Sequence, residues 1–148
     1  MTQQTNVTKV IRVKNAVAAG TSNQTTTAVD TAGYQGCRFI AAFGTITATA
    51  VTSVKVTQAD DAGISVNAED LAGSGISLTP STDDNKVVIV DVYRPSRRYL
   101  QLSILRGTAN AVIDGVVAEL YEGRLYPIAK DATIKGQVLL ASPAAGTP

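Results

Sequence analysis

The sequence predicts an all-β protein: a single antiparallel β-sandwich, jelly-roll-like in its many short strands, with an extended C-terminal arm. Three observations lead there. Apolar residues recur at spacing two or in short runs rich in β-branched members, the pattern of side chains that alternate between the faces of a strand. Turn-forming Gly, Pro, Asp and Asn residues separate these runs at short intervals. No long stretch carries the 3.6-residue period of an amphipathic helix. A chain of 148 residues fits one domain, and a globule of that size hides about 70% of its unfolded surface, enough for a real core.

The strands are expected at residues 7–13, 25–29, 38–43, 51–58, 86–93, 99–106 and 112–121, with shorter pieces around Ile64 and Ile76. In 86–93, Val88, Val90 and Val92 point one way and Val87, Ile89 and Tyr93 the other, which reads as a central strand covered on both faces. In 99–106, Leu100, Leu102 and Ile104 oppose Tyr99, Gln101 and Ser103, the alternation of a strand with one wet or interfacial face. The 112–121 segment also places Val112, Val116 and Leu120 at helical spacing, but Gly115 and the β-branched residues favour a strand. Turns are expected at Asp60-Asp61-Ala62-Gly63, Ala72-Gly73-Ser74-Gly75, Asp83-Asp84-Asn85 and Arg94-Pro95-Ser96. The layout is therefore an N-terminal strand and loop (1–24), a sandwich core (25–125) and an arm (126–148), one domain overall.

The arm carries Pro127, Pro143, Pro148, Gly136 and Gly146, a composition suited to extended chain. At about 3.3 Å per residue it would span on the order of 75 Å, several domain radii. Docking of this arm on a neighbouring subunit is the expectation, with a fold-back onto its own domain as the alternative.

Composition narrows the function. Charged residues are 17% of the chain, against about 25% in an average soluble protein, so Thr, Ser, Asn and Gln supply the polar exterior. A net charge of +1 gives little general attraction for nucleic acid. The apolar runs fall well short of the roughly 20 residues that cross a bilayer, so no membrane partner is expected. The first residues lack a basic start and an apolar stretch, which reads as no secretory signal and synthesis in a cytosol; the sequons at Asn6 and Asn23 then carry no weight.

Catalysis is not expected. The chain has no histidine, the commonest acid–base residue near neutral pH and the commonest metal ligand. Its single Cys37 lies beside Phe39 and Ile40 and reads as a small buried thiol. The carboxylate pairs Asp60/Asp61, Glu69/Asp70 and Asp83/Asp84 sit in turn-like segments without calcium-loop spacing, and Gly73-Ser74-Gly75 lacks the Lys-Ser/Thr ending of a phosphate loop. No metal or cofactor is expected. The one concentration of positive charge, Arg94, Arg97, Arg98 and Arg106, suits protein contacts better than a polyanion. Candidate subunit-interface residues are Arg94, Arg97, Arg98, Tyr126, Pro127 and Ile128.

Four segments carry a family resemblance: Ala28-Val29-Asp30-Thr31-Ala32-Gly33-Tyr34; Val54-Lys55-Val56-Thr57-Gln58-Ala59-Asp60-Asp61; Asp83-Asp84-Asn85-Lys86 with Asp91-Val92-Tyr93-Arg94-Pro95; and Gly107-Thr108-Ala109-Asn110-Ala111. Together, over residues 25–122, they resemble the head decoration, or capsid cement, proteins of tailed bacteriophages. Where such proteins often continue the Gln-x-Asp-Asp turn with Gly-Ser and an aromatic, this chain has Ala62-Gly63-Ile64-Ser65. The resemblance implies a structural virion protein on the outer surface of an icosahedral head, with the major capsid protein as partner and a homo-oligomer, a trimer ahead of a dimer, as its working form. Alternatives are a tail, neck or fibre component, and a carbohydrate-binding module displayed on the virion through Tyr34, Tyr93 or Tyr99.

Overall fold

The computed structural model describes residues 4–140 and residue 146; the end of the expected arm, including Pro143 and Pro148, lies outside them. Among the described residues, one helical turn, α1 (Gln4–Val7), is followed by eleven strands: β1 (Lys9–Lys14), β2 (Val17–Gly20), β3 (Gln24–Thr25), β4 (Val29–Asp30), β5 (Gly36–Ile46), β6 (Val51–Ala59), β7 (Glu69–Asp70), β8 (Ile76–Leu78), β9 (Val87–Tyr93), β10 (Tyr99–Gly107) and β11 (Ala111–Tyr121). They form two antiparallel sheets packed as a sandwich, the predicted class. The first sheet runs β1-β11-β5-β9 with β2 also on β11. The second runs β3-β10-β6-β7, with β4 on β10 and β8 on β6.

The core forms where the inward residues of both sheets meet. Cys37, Phe39, Ala41 and Phe43 of β5 and Ile113, Val116, Ala118 and Leu120 of β11 face Val54 and Val56 of β6 and Leu100, Leu102 and Ile104 of β10. Each of these side chains is essentially removed from water. At about 25 cal/mol per Å² of apolar surface, burial on this scale is what holds the two sheets face to face.

Val112, Val116 and Leu120, at helical spacing in the sequence, do not share a face: Val112 points outward and the other two inward. In β11, Ala111 and Ile113 face the core, and then Val116, Ala118 and Leu120 do, so the alternation skips one residue at Asp114–Gly115. There the register with β5 shifts: Ile113 lies opposite Phe43 and Gly115 opposite Ala42. This is a β-bulge. Gly115 sits at φ +145, a backbone conformation that side chains other than glycine's rarely adopt.

Five expectations are corrected. The strand at 86–93 is not central: β9 is the outer strand of its sheet, and only Val88, Val90 and Val92 turn inward, while Val87, Ile89 and Tyr93 are each more than half exposed. Its run of valines gave the look of two covered faces because β-branched residues also suit an exposed strand. The piece around Ile64 is a loop, with Ile64 and Asn67 at positive φ. Glu69 and Asp70 lie in a short strand, β7, paired to Gln58 and Thr57, and not in a turn. The expected strand at 25–29 is broken into β3 and β4, because the backbone and hydroxyl of buried Thr26 bond to Leu102 instead of continuing one ladder. The first strand also begins later than expected, since Val7 belongs to α1.

The arm does not stand clear of the domain. Ile128 N donates to Asn6 O at 2.9 Å, Arg12 N to Thr133 Oγ1 at 3.0 Å and Gln137 Nε2 to Thr5 O at 2.6 Å, and Lys9 pairs with Asp131. Residues 128–137 therefore lie along the outer edge of β1, covering an edge that would otherwise be open. Beyond them Val138, Leu139 and Leu140 are exposed.

Candidate functional site

One face of the first sheet points into the core; the other is open over β9 and bordered by α1 and the tail near Glu119, and strand registry places its side chains in rows. Ile89 of β9, Ile40 of β5 and Val117 of β11 lie side by side, as do Val87 and Ala42. Val87 and Ile89 are 54% and 52% exposed. A polar row runs parallel: Asp91, Arg38 and Glu119 are in register, with Arg38 ion-paired to Glu119. In the next row Tyr121 lies across Gly36 and donates its hydroxyl to Asp91 at 2.6 Å. A Cβ on Gly36 would fall 2.0 Å from the Tyr121 ring, so glycine is needed for this close approach. Burial, and then the Asp91 carboxylate, push the Tyr121 phenol above its ordinary pKa, so it stays a donor.

Where the polar row meets the tail, a groove of about 460 Å³ is lined by Gln4, Arg38, Asp91, Glu122 and Tyr126 among others. The surface thus has an apolar stripe bordered by fixed charges, on rigid strands. Such a face suits a protein partner: its apolar row supplies area and its charged row supplies register. Sequence reading missed it because it took β9 as covered on both sides.

The candidate arginines have internal duties. Arg97 bonds Asp60 and Glu69, each at 3.0 Å, and Arg98 forms a two-point pair with Asp30 at 2.8 and 2.7 Å. These exposed pairs fix the 94–98 loop against its neighbours and contribute little to stability. They also spend most of the loop's positive charge within the chain. Arg94, at φ 50, reaches Gln35 at 3.3 Å and stacks near Tyr93, and is the one of the three with no carboxylate partner among the described residues.

Arg106, grouped with them by sequence, is 5% exposed and points into the end of the sandwich. It donates to the carbonyls of Ser22, Ala18 and Ala111 at 2.8 to 3.0 Å. Its role is structural. The signal was present, since Arg106 continues the inward series Leu100, Leu102, Ile104.

Tyr126 and Pro127 are exposed, while Ile128 is buried against the body. They lie at the same end of the sandwich as the arginine loop, because Tyr93 and Tyr121 are in register with the two sides of Gly36. Among the described residues no hydrogen bond or ion pair joins the two groups. Of the three tyrosines considered for sugar stacking, Tyr34 packs against the core, Tyr99 lies under Arg98, and Tyr93 is exposed beside Arg94.

The remaining polar groups organise turns. Asp61 accepts from the backbone N–H groups of Val66, Ser65 and Gly63 and from the Ser65 hydroxyl, which holds its carboxyl down to about 2. A depressed carboxyl stabilises the fold above its unfolded pKa near 3.8, and that contribution fades as pH falls through about 2. A carboxyl ¹³C NMR titration is therefore expected to put the Asp61 midpoint near 2, with loss of Ser65 and Val66 amide protection over the same range; a midpoint near 3.8 would show that the loop does not hold Asp61 as described. Cys37 is fully buried, and burial pushes its thiol up to about 12, far from a nucleophile at neutral pH.

No protein-family model and no curated protein matches the chain. Among solved structures it is similar to a chain in "Structure of infectious bursal disease virus Gx strain", at 12% identity and a TM-score of 0.47. The match covers 81% of this chain and 33% of that one, so this chain spans about a third of its neighbour's length.

Proposed function

We propose that this chain is a non-enzymatic structural virion protein, a head decoration or cement protein that binds the outer surface of an icosahedral phage capsid and stabilises neighbouring major capsid subunits. The observation that carries the reading is the outer face of the first sheet where it is open over β9, with its exposed Val87–Ile89 stripe beside the Asp91, Arg38 and Glu119 row. Exposed apolar rows bordered by polar ones mark places where proteins meet.

The four-segment resemblance supplies the location. Its carriers hold the scaffold: Asp30 pairs with Arg98, Asp84 accepts from Ile46 N, and Asp83 accepts from Thr79 N and pairs with Lys86. These residues build the fold, and the open sheet face does the binding. Copies act as a homo-oligomer, a trimer, so that each protomer engages a different capsid subunit and linked contacts raise effective affinity by about 10² to 10⁴.

Cryo-EM of phage particles made with and without this chain tests the reading. Extra density is expected on the outside of the expanded shell, bridging adjacent capsid subunits. A shell surface identical in the two preparations would reject the proposal, and density at the tail or neck would replace it with a tail component.

A further inference from the structure

The chain's 13 cationic and 12 acidic side chains all belong to the described residues, and they are not evenly spread. Strand order defines two opposite sides of the sandwich. β1 ends the first sheet beyond β11, and Thr27 N, donating to Val13 O at 2.9 Å, sets it over the β3 side of the second sheet. β9 ends the first sheet at its other limit, and a groove shared by Val87, Val88 and Ile89 with Ile76 and Leu78 sets it over β8, which with β7 flanks the outer edge of β6.

The β1 side is basic. Lys9, Arg12 and Lys14 belong to β1, and the tail laid along its edge adds Lys130 and Lys135, against one carboxylate, Asp131. Arg12, Lys130 and Lys135 are exposed, and of the five cations only Lys9 has a carboxylate partner among the described residues. On the neighbouring strand Glu119 is already paired with Arg38, which leaves Asp114 as the carboxylate bordering Arg12. This patch is a product of folding, since β1 and the tail come from opposite ends of the sequence.

The opposite side is acidic. Asp60, Asp61, Glu69 and Asp70 gather where β7 pairs with β6, against Lys55 and Arg97. Asp83 and Asp84 follow in the turn from β8 to β9, against Lys86. Carboxylates there outnumber cations two to one, and Glu69 and Asp70 are exposed.

The two sides do not neutralise each other within one copy. Three strand spacings, about 14 Å, separate β1 from β9, whereas at physiological salt charges more than about 8 Å apart are largely screened. Each side therefore keeps a field for a partner of opposite sign. A partner of a single sign satisfies one side only. A second copy of this chain satisfies both, because every copy presents both signs while its net charge is only +1.

We propose that the basic β1 side of one copy docks against the acidic β7–β8 side of the next. The two surfaces differ, so the contact is head-to-tail and its repetition builds a ring. This deepens the homo-oligomer of the proposed function and rests on that reading only for closure at three copies.

The test uses the isolated chain, without capsid. Light scattering in about 0.01 M salt, where charges act over about 30 Å, is expected to give a multiple of the 15.3 kDa chain mass; in about 1 M salt, where the range is about 3 Å, a single-chain mass is expected. Arg12→Glu with Lys135→Glu neutralises the basic side, and Glu69→Gln with Asp70→Lys neutralises the acidic side. Each double variant alone is expected to be a single chain in low salt with unchanged circular dichroism. Mixed, they keep one intact side each and are expected to give a two-chain mass. A wild type that is monomeric in low salt, an oligomer that survives about 1 M salt, or a mixture that stays monomeric would each overturn the inference. Assembly lost on altering the basic side but kept on altering the acidic one would overturn it in favour of a different acidic surface. Failure to decorate capsids bears on the proposed function alone.

Discussion

Arg106→Ala is expected to destabilise the fold by about 3 kcal/mol, since it removes three charge-assisted bonds and leaves the buried Ala111 carbonyl without this donor. The guanidinium extends from β10 of the second sheet to Ala18 of β2 and Ala111 of β11 in the first, and to Ser22 in the connection between β2 and β3. It ties the two sheets together at one end of the sandwich. Burial lowers its pKa from the ordinary arginine value, and among the described residues no carboxylate pairs with it, so backbone dipoles alone compensate the charge. For a domain of this size the loss corresponds to a fall in Tm of about 6 to 12 °C. Arg106→Lys is expected to recover less than half of it, because an ammonium lacks the planar fork that reaches three carbonyls at once. Thermal melts of the two variants check this; an alanine variant within about 1 kcal/mol of the wild type would show that the three bonds do not hold that end of the molecule.

Phe39→Ala is expected to cost about 3–5 kcal/mol, the range for deleting a fully enclosed aromatic ring. Phe39 is 0% exposed, in the middle of β5, with Ala118 of β11 and Val90 of β9 in register on either side. Both neighbouring strands are held by long ladders, so the surroundings have little freedom to collapse into the cavity. Phe39→Leu keeps most of the volume and is expected to cost about 1.5 kcal/mol or less. Urea denaturation with an unchanged slope and a lowered midpoint would be the expected record for alanine. A midpoint close to the wild type's would place the centre of the core elsewhere.

Both effects follow from a core that was readable in outline. Period-two alternation located β5, β6, β10 and β11, because a half-buried antiparallel strand has to alternate, and the inward set of β10 is the one the alternation named. Short pieces such as β2 and β7 were not legible, since strands of four and two residues are too short to show a period and take their shape from the partner strand. The candidate site was less legible. Tyr126, Pro127 and the three loop arginines sit near one end of the domain, yet Arg97 and Arg98 are tied up by Asp60, Glu69 and Asp30, carboxylates that are distant in sequence.

What the sequence alone determined is the class: β-branched alternation and closely spaced turns lead to an antiparallel sandwich whichever strands pair. What tertiary structure decided is which strand ends up at an edge and which arginine ends up inside. Those depend on strand order and on the bulge at Asp114–Gly115, and neither is a property of a local run of residues. A valine-rich strand has the same sequence in the middle of a sheet as at its rim; among the described residues no strand lies beyond β9 and Val87 and Ile89 stay exposed on its outer face.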